Sequence, residues 1–414
     1  MRFAGRRIVV GVTGSIAAYK VPLLVRELVR EGAEVRVVVS PTATHFVAPG
    51  ALRAFAPTVL EMFPADFSST WHIEWARWAE AMLIVPCSAA TLGKLAAGIP
   101  DTPPTLVACA LPGATPLVLA PAMDSEMWEH PATVHAIAQL RRRGVWIVPP
   151  AYGELASGSV GIGRLPELET VLGTLEAALL LGVQQPLHRW DGLRVLVTAG
   201  PTRERLDPVR FLSNFSSGRM GYALAEAARD RGAEVVLVSG PTALPQPPGV
   251  EFVRVESAQE MAAAVLQYAG ATDALFMVAA VVDFAPRSSS PTKLHRRGQE
   301  VLLLELEATP DVLAAVAQRR RPGQLLVGFA LETDSEWESA WRKLQEKGCD
   351  LVVLNSLRWG AAGFESRFNT IAVLSRDGYV RMFPPRSKRI CAEWVLQCVQ
   401  ELRSTNAGSG GQAR

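Results

Sequence analysis

Short runs of Val, Ile and Leu recur along the first half of the chain and alternate with segments of helical periodicity. Continuous apolar runs are typical of parallel strands that are buried on both faces beneath covering helices. The first half is therefore predicted to form a doubly wound parallel sheet. Its predicted strands are RIVVGVT, AEVRVVVS, AMLIVPCS, ATPLVLAPAM and VWIVPP, and its predicted helices lie near residues 16–30, 126–143 and 166–182.

The same alternation begins again near residue 192, with the apolar runs LRVLVTAG, AEVVLVSG, VEFVRVES, DALFMVAAVV, QLLVGFAL and CDLVVLNS. GAEVRVVVSPTA and GAEVVLVSGPTA follow the first crossover helix of each half, which shared α/β patterning explains more readily than duplication. NTIAVLSRDGYVRMFPP is predicted to form an antiparallel hairpin that turns at Asp377 and Gly378. The whole pattern predicts two α/β domains in tandem.

The chain has 414 residues, which is too long for a single domain with one hydrophobic core. We predict a first domain over residues 1–183 and a polar linker containing Pro186 over residues 184–191. A second domain is predicted over residues 192–403, followed by a disordered tail over residues 404–414.

Composition narrows the classes of partner. Basic and acidic residues nearly balance, 42 against 40, so the overall charge favours neither nucleic acid nor an acidic membrane. The five cysteines are scattered without a CxxC pair, which argues against disulfides or structural zinc and fits a reducing cytoplasm. No stretch of the sequence is both long and apolar enough to span a bilayer.

Hydroxyl-bearing residues follow several predicted strands of the first half. Ligands of open parallel sheets bind beyond the carboxyl ends of the strands. Each hydroxyl by itself could simply cap a helix, whereas together they indicate a site for a phosphate and a ring. The GxGxxG spacing is absent, which favours a mononucleotide over a dinucleotide. The residues at these strand ends are Gly14, Ser15, Ser40, Ser88 and Thr91.

Three further positions could carry chemistry. His72 lies among tryptophans in WHIEWARWAE, where a packed surface or interface role competes with the role of a base. Asp124 follows an apolar strand in PAMDSEMW, where it could equally cap a helix. The segment ELASGSVGIGR, residues 154–164, is either a plain solvent loop or a lid over a site.

These motifs, in this order and at these separations, resemble a known family. GVTGSIAAYK, WHIEWARWAE, PAMDSEMW and GELASGSVGIGRLPE resemble the flavin-dependent cysteine decarboxylases. TAGPTRERLDPVRFLSNFSSGRMG, AAVVDF, TPDVL, VGFALET and KLQEKGCDLVVLN resemble the phosphopantothenate–cysteine ligases. Over about residues 5–400 the chain is similar to the bifunctional enzymes of coenzyme A synthesis that join both activities. The resemblance implies a flavodoxin-like FMN-binding half followed by a Rossmann-like ligase half.

For the first half, the resemblance implies an FMN-dependent decarboxylation of phosphopantothenoylcysteine to phosphopantetheine. His72 would be the catalytic base, and Met123 and Arg164 would contact the substrate. The FMN contacts that the resemblance implies are Gly14, Ser15, Ser40, Ser88 and Thr91.

Three positions of this half depart from the family pattern. Asp124 and Ala90 stand where asparagine is usual, and an ionised Asp124 would repel the substrate carboxylate unless it is protonated or paired with a cation such as Arg164. Ser157 stands where a lid cysteine usually gives a proton to the enethiol intermediate. A thiol has a pKa of about 8.5 and an aliphatic hydroxyl is a far weaker acid, so a water relay, Asp124 or another group would have to act.

For the second half, the resemblance implies that CTP, with Mg²⁺, activates phosphopantothenate as an acyl-cytidylate, from which the cysteine amine displaces CMP. Arg210 and Asn214 would handle this intermediate, and Lys293 would be catalytic. Taken singly, Lys343 and Lys347 would form a solvated helix face, but their order within the ligase pattern favours binding. The implied CTP contacts are Met277, Val278, Ala279, Asp283, Lys293, Pro310, Asp311, Val312, Leu313, Phe329, Lys343 and Lys347.

The resemblance also implies a homo-oligomer, in which trimers of the flavin half and dimers of the ligase half combine into a dodecamer. The main alternative is an active ligase whose flavin half is impaired or serves as a binding or regulatory module. Decarboxylases of peptide C-terminal cysteines lack the ligase half, and a nucleotide-dependent dehydrogenase is disfavoured by the missing GxGxxG.

Overall fold

The structure is a computed structural model that describes residues 1–66, 68–183, 190–296, 301–332, 334–356, 358–359 and 368–409. The chain divides into two units, Met1–Arg189 and Trp190–Arg414. Each unit contains a largely parallel sheet with helices packed against it, so the expected fold of two tandem doubly wound domains is confirmed.

The main sheet of the first unit is parallel. Its described strands are β1 (Arg7–Val12), β2 (Glu34–Val39), β3 (Thr58–Val59), β4 (Ala81–Cys87), β5 (Leu117–Pro121) and β6 (Trp146–Ile147). They lie in the order β3-β2-β1-β4-β5-β6, with Arg7 of β1 opposite Glu34 and Ile8 opposite Ala81. β2 and β3 lie on one side of β1 in the sheet, and the later strands β4, β5 and β6 lie on its other side. A crevice forms where the strand order reverses, at the carboxyl ends of β1 and β4.

Prolines divide two of the predicted helices of the first unit. Two predicted helices, near 16–30 and 126–143, are each divided in two in the structure. Pro22 and Pro131 lie in the first turns of new helices, because a proline inside a longer helix would lose a hydrogen bond and clash with the preceding turn. The described elements are 3₁₀ helices Ile16–Lys20 and Pro41–His45 and helices α1 (Val21–Arg30), α2 (Pro49–Arg53), α3 (Trp71–Trp78), α4 (Ala89–Ala97), α5 (Pro103–Cys109), α6 (Ser125–Glu129), α7 (Pro131–Arg142) and α8 (Leu168–Leu181).

Residues 154–164 belong to an antiparallel hairpin. It is formed by β7 (Ala151–Glu154) and β8 (Val160–Arg164), with Gly153 opposite Gly161. The connecting residues 155–159 carry Ser157 at the tip of the hairpin.

The main sheet of the second unit continues past its parallel strands into an antiparallel hairpin. Its described strands lie in the order β13-β12-β9-β14-β17-β18-β19-β20, and the last two pairings are antiparallel. The predicted hairpin around Asp377 and Gly378 is thereby confirmed. The strands of this unit, including two short ribbons, are β9 (Arg194–Ala199), β10 (Glu204–Arg205), β11 (Phe211–Leu212), β12 (Glu234–Ser239), β13 (Glu251–Arg254), β14 (Ala274–Met277), β15 (Phe284–Pro286), β16 (Leu306–Ala308), β17 (Leu325–Glu332), β18 (Leu351–Ser356), β19 (Phe368–Ser375) and β20 (Val380–Ser387).

The described helices of the second unit are α9 (Arg219–Asp230), α10 (Ala258–Ala269), α11 (Val312–Ala317), α12 (Glu336–Glu346) and α13 (Lys388–Ser409). Helix α13 continues to Ser409, past residue 404, where the predicted tail begins. The Ser404 and Thr405 hydroxyls each donate at 3.0 Å to the backbone carbonyl four residues earlier, which keeps these polar side chains bonded within the helix. Residues 410–414 lie outside the described part of the chain. Within that part, no helix has the length and apolar character that a membrane crossing requires.

The predicted linker ends earlier than residue 191. Residues 184–189 lie outside the described residues, but Trp190 is only 1% exposed and stacks on Phe276, with ring centroids 6.4 Å apart. Burying an indole contributes a large apolar area. Trp190 therefore belongs to the hydrophobic core of the second unit.

Candidate active sites

The predicted hydroxyl residues of the first unit gather at one edge of its sheet. Gly14 and Ser15 follow β1, Ser40 follows β2 and Ser88 follows β4, and these three strands are neighbours and parallel. The Thr13 hydroxyl ties the ends of β1 and β4 together, since it donates to the Pro86 carbonyl at 2.7 Å and accepts from the Ser88 amide at 2.9 Å.

Local capping accounts for part of this hydroxyl cluster. The Ser88 Oγ accepts from the Thr91 amide at 3.3 Å and lies 3.0 Å from the Thr91 Oγ1, so Ser88 caps α4. The Ser40 Oγ lies 3.2 Å from the Thr42 Oγ1. A Cβ on Gly14 would come within 2.7 Å of the Thr42 Cβ. Neutral hydroxyls beside helix starts, together with the backbone of a half-buried glycine, fit the phosphate of a mononucleotide such as FMN.

A cavity of about 530 Å³ opens beside this edge. Ser15, Met123, Asp124 and Arg164 line it, together with residues 154–156 of the hairpin. The structure thus brings together one predicted FMN contact and three predicted substrate or catalytic residues. The described lining does not include Gly14, Ser40, Ser88, Thr91 or His72.

Asp124, which lines this cavity, forms a short hydrogen bond with Ser157. The Ser157 hydroxyl donates to the Asp124 Oδ2 at 2.5 Å and lies 2.8 Å from the Ser159 Oγ. The Asp124 Oδ1 accepts from the Ser125 amide at 2.8 Å and caps α6. Hydrogen bonds with Glu126 and from Ser157 hold the pKa of Asp124 below its usual value, so Asp124 is a carboxylate near neutral pH.

The cation suggested as a partner for Asp124 is engaged elsewhere. The Arg164 guanidinium pairs with Glu167 at 3.3 Å, within an exposed pair. The serine at the hairpin tip, rather than an arginine, is therefore the partner that the structure gives to Asp124.

The hairpin is attached to the strand end that carries Asp124. The Met123 amide donates to the Gly163 carbonyl at 3.0 Å, and the Ser125 hydroxyl donates to the Ile162 carbonyl at 2.9 Å. A Cβ on Gly163 would overlap the Met123 carbonyl oxygen. The glycine at this position therefore allows β8 to lie directly against residues 123–125.

His72 lies in the first turn of α3, half-buried, with its ring edge-to-face on Trp71 at a centroid distance of 5.9 Å. Arg36 stacks over Trp75 and Trp78, 5.2 and 4.0 Å from their ring centroids. Within one chain, the structure does not bring His72 to the cavity lined by Asp124.

The second unit has a cavity of about 400 Å³ at the carboxyl ends of β9, β14 and β17. Met277, also predicted, is the buried last residue of β14 and directly precedes the lining segment. Six of the fourteen predicted ligase residues therefore line this cavity. The predicted residues that line the cavity are Asn214, Val278, Ala279, Asp283, Phe329 and Lys343.

Hydrogen bonds to Thr198 and Asn214 hold this lining in place. The Thr198 hydroxyl accepts from the Val278 and Ala279 amides at 2.9 and 3.0 Å. The Asn214 side chain donates to the Ala280 carbonyl at 2.6 Å and accepts from the Ser216 amide at 3.0 Å. Asn214 therefore fastens the segment before α9 to the end of β14.

Lys343 is not on a solvated helix face. Its Nζ donates to the Phe329 carbonyl at 2.5 Å, and burial lowers its pKa. Lys347, four residues later, instead pairs with Asp311, which caps α11 by accepting from the Ala314 amide at 2.8 Å. Pro310, Asp311, Val312 and Leu313 are outside the described cavity lining.

Arg210 and Lys293 lie in a separate cluster. Arg210 donates to the Asp207 Oδ2 from Nε at 2.9 Å and from Nη2 at 2.6 Å, and to the Leu294 carbonyl at 2.6 Å. Lys293 is exposed beside Leu294, whose amide also donates to Asp207. Burial would raise the pKa of Asp207, but the hydrogen bonds from Arg210 and the backbone amides of Leu294, Val209 and Arg210 outweigh burial and lower it.

The cavity of the second unit also contains polar residues that the sequence reasoning missed, among them four that come from helix starts or from strands. Arg219, Asn355, Asn369 and Lys388 line it. Their positions at a helix start or near strand ends were the only available signal, and a lysine is by default expected at the surface. Among the described residues, no group of three or more His, Cys, Asp or Glu side chains is arranged to hold a metal ion.

Two family models match the chain. The model described as Flavoprotein matches residues 3–180, and the model described as DNA/pantothenate metabolism flavoprotein C-terminal domain matches residues 190–402.

Curated relatives match along almost the whole chain, and solved structures match its halves. The coenzyme A biosynthesis bifunctional protein CoaBC of Bacillus subtilis is 39% identical, covering 96% of this chain and 97% of the relative. That of Mycobacterium bovis is 40% identical, covering 95% and 96%. The crystal structure of a CoaBC C-terminal domain is 40% identical over 52% of this chain and 97% of that domain, with a TM-score of 0.45. The FMN binding protein AtHal3 is 32% identical over 42% of this chain and 95% of its own, with a TM-score of 0.38. The chain therefore belongs to the family of bifunctional coenzyme A biosynthesis enzymes, which unite a phosphopantothenoylcysteine decarboxylase with a phosphopantothenate–cysteine ligase.

Proposed function

We propose that the second unit ligates cysteine to phosphopantothenate at the expense of CTP and that the first unit decarboxylates the product with FMN. The observation that carries the proposal is that each unit has a cavity, of about 530 and 400 Å³, lined by residues that the family resemblance had singled out. Cavities of this size suit small-molecule substrates. We also propose the cytoplasm as the compartment, supported by five cysteines that are all free thiols.

In the ligase site, we assign CTP to Lys343, Phe329 and Asp283 and to the backbone of residues 277–279. A fixed cation such as Lys343 would stabilise the charge that develops as pyrophosphate leaves. Mg²⁺ keeps several waters and binds through one or two carboxylates plus substrate phosphates, and Asp283 and Glu332 are the carboxylates that line this cavity.

Of the remaining assigned ligase residues, Asn214 lines the cavity and the others would act from outside the described lining. Arg210 and Asn214 are proposed to handle the acyl-cytidylate, and Lys293, Lys347 and residues 310–313 to contact CTP. Arg210, Lys293 and Lys347 would reach the nucleotide by closure of their segments or from a second copy of the chain. We therefore also propose that the protein is a homo-oligomer and, more specifically, a dodecamer.

In the decarboxylase site, we assign FMN to the strand ends that carry Gly14, Ser15, Ser40, Ser88 and Thr91. When bound, the flavin supplies the oxidation of the cysteinyl thiol that makes loss of carbon dioxide feasible. Met123 and Arg164 would orient the substrate. His72 would be the base contributed across a subunit boundary, which accords with its place outside the cavity of its own chain.

Asp124 and Ser157 are proposed to deliver the proton that replaces carbon dioxide. A substrate carboxylate placed beside Asp124 would raise its pKa, so the two carboxylates would share a proton on binding. When the carbon–carbon bond breaks, carbon dioxide departs, and the electron pair stays on the substrate as an enethiolate. The pKa of Asp124 then falls again, and its proton passes through the Ser157 hydroxyl to the substrate. The two electrons that the flavin takes from the thiol would return to the substrate as a hydride, so that hydride and proton together give the phosphopantetheine thiol.

One observation favours the alternative of an impaired flavin half: the tip of the hairpin presents an exposed hydroxyl at Ser157, which is a weak acid without help from Asp124. In this alternative the ligase works and the first unit binds without turnover.

Mass spectrometry of the products that the purified protein forms from phosphopantothenate, cysteine, CTP and Mg²⁺ separates these functions. Phosphopantetheine supports both proposed activities. Accumulation of phosphopantothenoylcysteine, or of its oxidised and decarboxylated enethiol, supports the alternative, and Ser157→Cys should then release phosphopantetheine. Absence of all three products would contradict the proposed function.

A further inference from the structure

One wall of the ligase cavity is cationic, and the assigned contacts do not use it. Arg219, the first residue of α9, and Lys388, the first residue of α13, both line the cavity. Lys388 is only 7% exposed. Two cations from the starts of different helices therefore lie at the same cavity.

Asn369 lies on the same wall. It is 4% exposed, its Nδ2 lies 3.9 Å from the Met220 Sδ, and its Oδ1 has no hydrogen-bond partner within the described part of the chain. A buried amide oxygen without a partner is destabilising, which indicates that a ligand completes its environment. Because rotation of the amide exchanges its oxygen and nitrogen, the same group can also donate to an anion.

The start of α9 adds backbone donors to this wall. Gly218, Met220 and Gly221 line the cavity with Arg219. The N-cap of this 12-residue helix is Gly218, and no side chain caps it. The first amides of a helix and its dipole both favour an anion.

We propose that Lys388, together with Arg219 and Asn369, binds a phosphoryl group of the ligase substrates. The inference rests on the proposed ligase function. Both CTP and phosphopantothenate carry phosphoryl groups, and the experiment below distinguishes these two sources.

Protonation of Lys388 then sets the upper pH limit of this binding. Burial and the positive charge of Arg219 lower the pKa of Lys388 to about 8, against an opposing effect of Cys391. The other charged groups on the described lining are Asp283, Glu332 and Lys343. Lys388 is charged below pH 8 and neutral above it, so affinity for the anion falls as the pH rises through that value.

Calorimetric titrations of the full-length protein with CTP, and separately with phosphopantothenate, test this inference between pH 7.5 and 9.5, where phosphate monoesters with a second pKa of about 6 are almost fully dianionic. Lys388→Met should weaken binding of one of the two ligands by about ten- to a hundredfold at neutral pH, as expected for loss of a hydrogen bond to a charged group. The ligand that is affected identifies the phosphoryl group. Lys388→Arg, which stays charged, should bind well and lose the decline above pH 8.

Arg381→Met is the matched control, because it removes a cation of the same unit that lies on β20 outside the cavity. Equal affinities of wild type and Lys388→Met for both ligands would overturn the inference and leave the ligase proposal standing. A wild-type protein that binds neither ligand would overturn both. If Lys388→Met does not fold, the pH profiles of wild type and Lys388→Arg decide: identical profiles overturn the inference.

Discussion

Asp124 occupies a position where a single proton matters. Its hydrogen bonds with Glu126 and from Ser157 keep its pKa low in the ligand-free protein, and a substrate carboxylate would act in the opposite direction. The charge of this residue is therefore expected to change during each reaction cycle, which an asparagine could not do.

We predict that the protein takes up close to one proton per site when phosphopantothenoylcysteine binds at pH 7, and that Asp124→Asn abolishes this uptake. Calorimetry in two buffers with different ionisation enthalpies measures the number of protons. Glu167→Gln, which removes an exposed carboxylate paired with Arg164, is the control and should leave the uptake unchanged. Equal uptake by wild type and Asp124→Asn would contradict a role for Asp124 in carrying the proton.

For some single residues, both interpretations of the sequence, a helix cap and a site residue, are compatible with the structure. Ser88 and Asp124 do cap α4 and α6, as the simpler interpretation stated, and Asp124 also faces the cavity. Lys343 and Lys347 look equivalent in the sequence, but the fold buries the first beside Phe329 and pairs the second with Asp311.

Among the elements, the hairpin of β7 and β8 depends on Gly163, where any side chain would meet the Met123 carbonyl. We predict that Gly163→Ala displaces the hairpin, separates Ser157 from Asp124 and reduces phosphopantetheine formation at least tenfold while ligation continues. Gly113→Ala is the control, because a Cβ there has no neighbour within 4 Å. Product ratios measured by mass spectrometry provide the test, and an unchanged ratio in Gly163→Ala would refute the lid role.

Helices α9 and α13 are joined by buried ion pairs. Asp230 accepts from Arg229 at 2.7 Å and from Arg389 at 2.8 Å, and Glu393 accepts from Arg389 at 2.8 Å and Arg231 at 3.0 Å. Burial would raise the pKa of Asp230, but the two guanidinium groups outweigh burial and lower it. The pairs therefore stabilise the second unit only while Asp230 is ionised.

We predict that Asp230→Asn lowers the free energy of unfolding of the second unit by about 3–5 kcal/mol at pH 7, since it leaves buried cations without their partner. Because the pKa of Asp230 is depressed on folding, its contribution is complete above about pH 4 and is lost as the pH falls through the lower folded value. Urea unfolding at pH 7 and pH 3 measures both effects. Glu401→Gln, at the exposed Arg381 pair, should change the stability by less than about 1 kcal/mol.

For the whole molecule, two units with separate cavities mean that the two reactions should be separable by mutation. We predict that His72→Ala abolishes release of carbon dioxide and leaves CTP-dependent ligation within about twofold of wild type. Parallel assays of carbon dioxide and of phosphopantothenoylcysteine measure the two activities. Loss of ligation in a folded His72→Ala protein would show that the sites are not independent.

Much of the architecture was predictable, because buried parallel strands have sequences that are unbroken runs of apolar residues. The runs at β1, β4, β9 and β14 all became strands of the expected sheets. Helix boundaries were less predictable, since Pro22 and Pro131 divided two predicted helices. The sequence predicts that Trp190 belongs to the linker, because its neighbours are polar. In the structure Trp190 is buried against Phe276 and belongs to the core of the second unit.

The sequence alone determined the order of strands and helices, the family and the identity of the side chains at the strand ends, because apolar periodicity and motif order are local properties of the chain. Only the tertiary structure decided which of those side chains meet. The contact between Ser157 and Asp124 joins residues 33 positions apart, and the cavity wall of Arg219, Asn369 and Lys388 draws on segments up to 169 positions apart. Burial and charge pairing arise from such distant contacts, so no local pattern could reveal them.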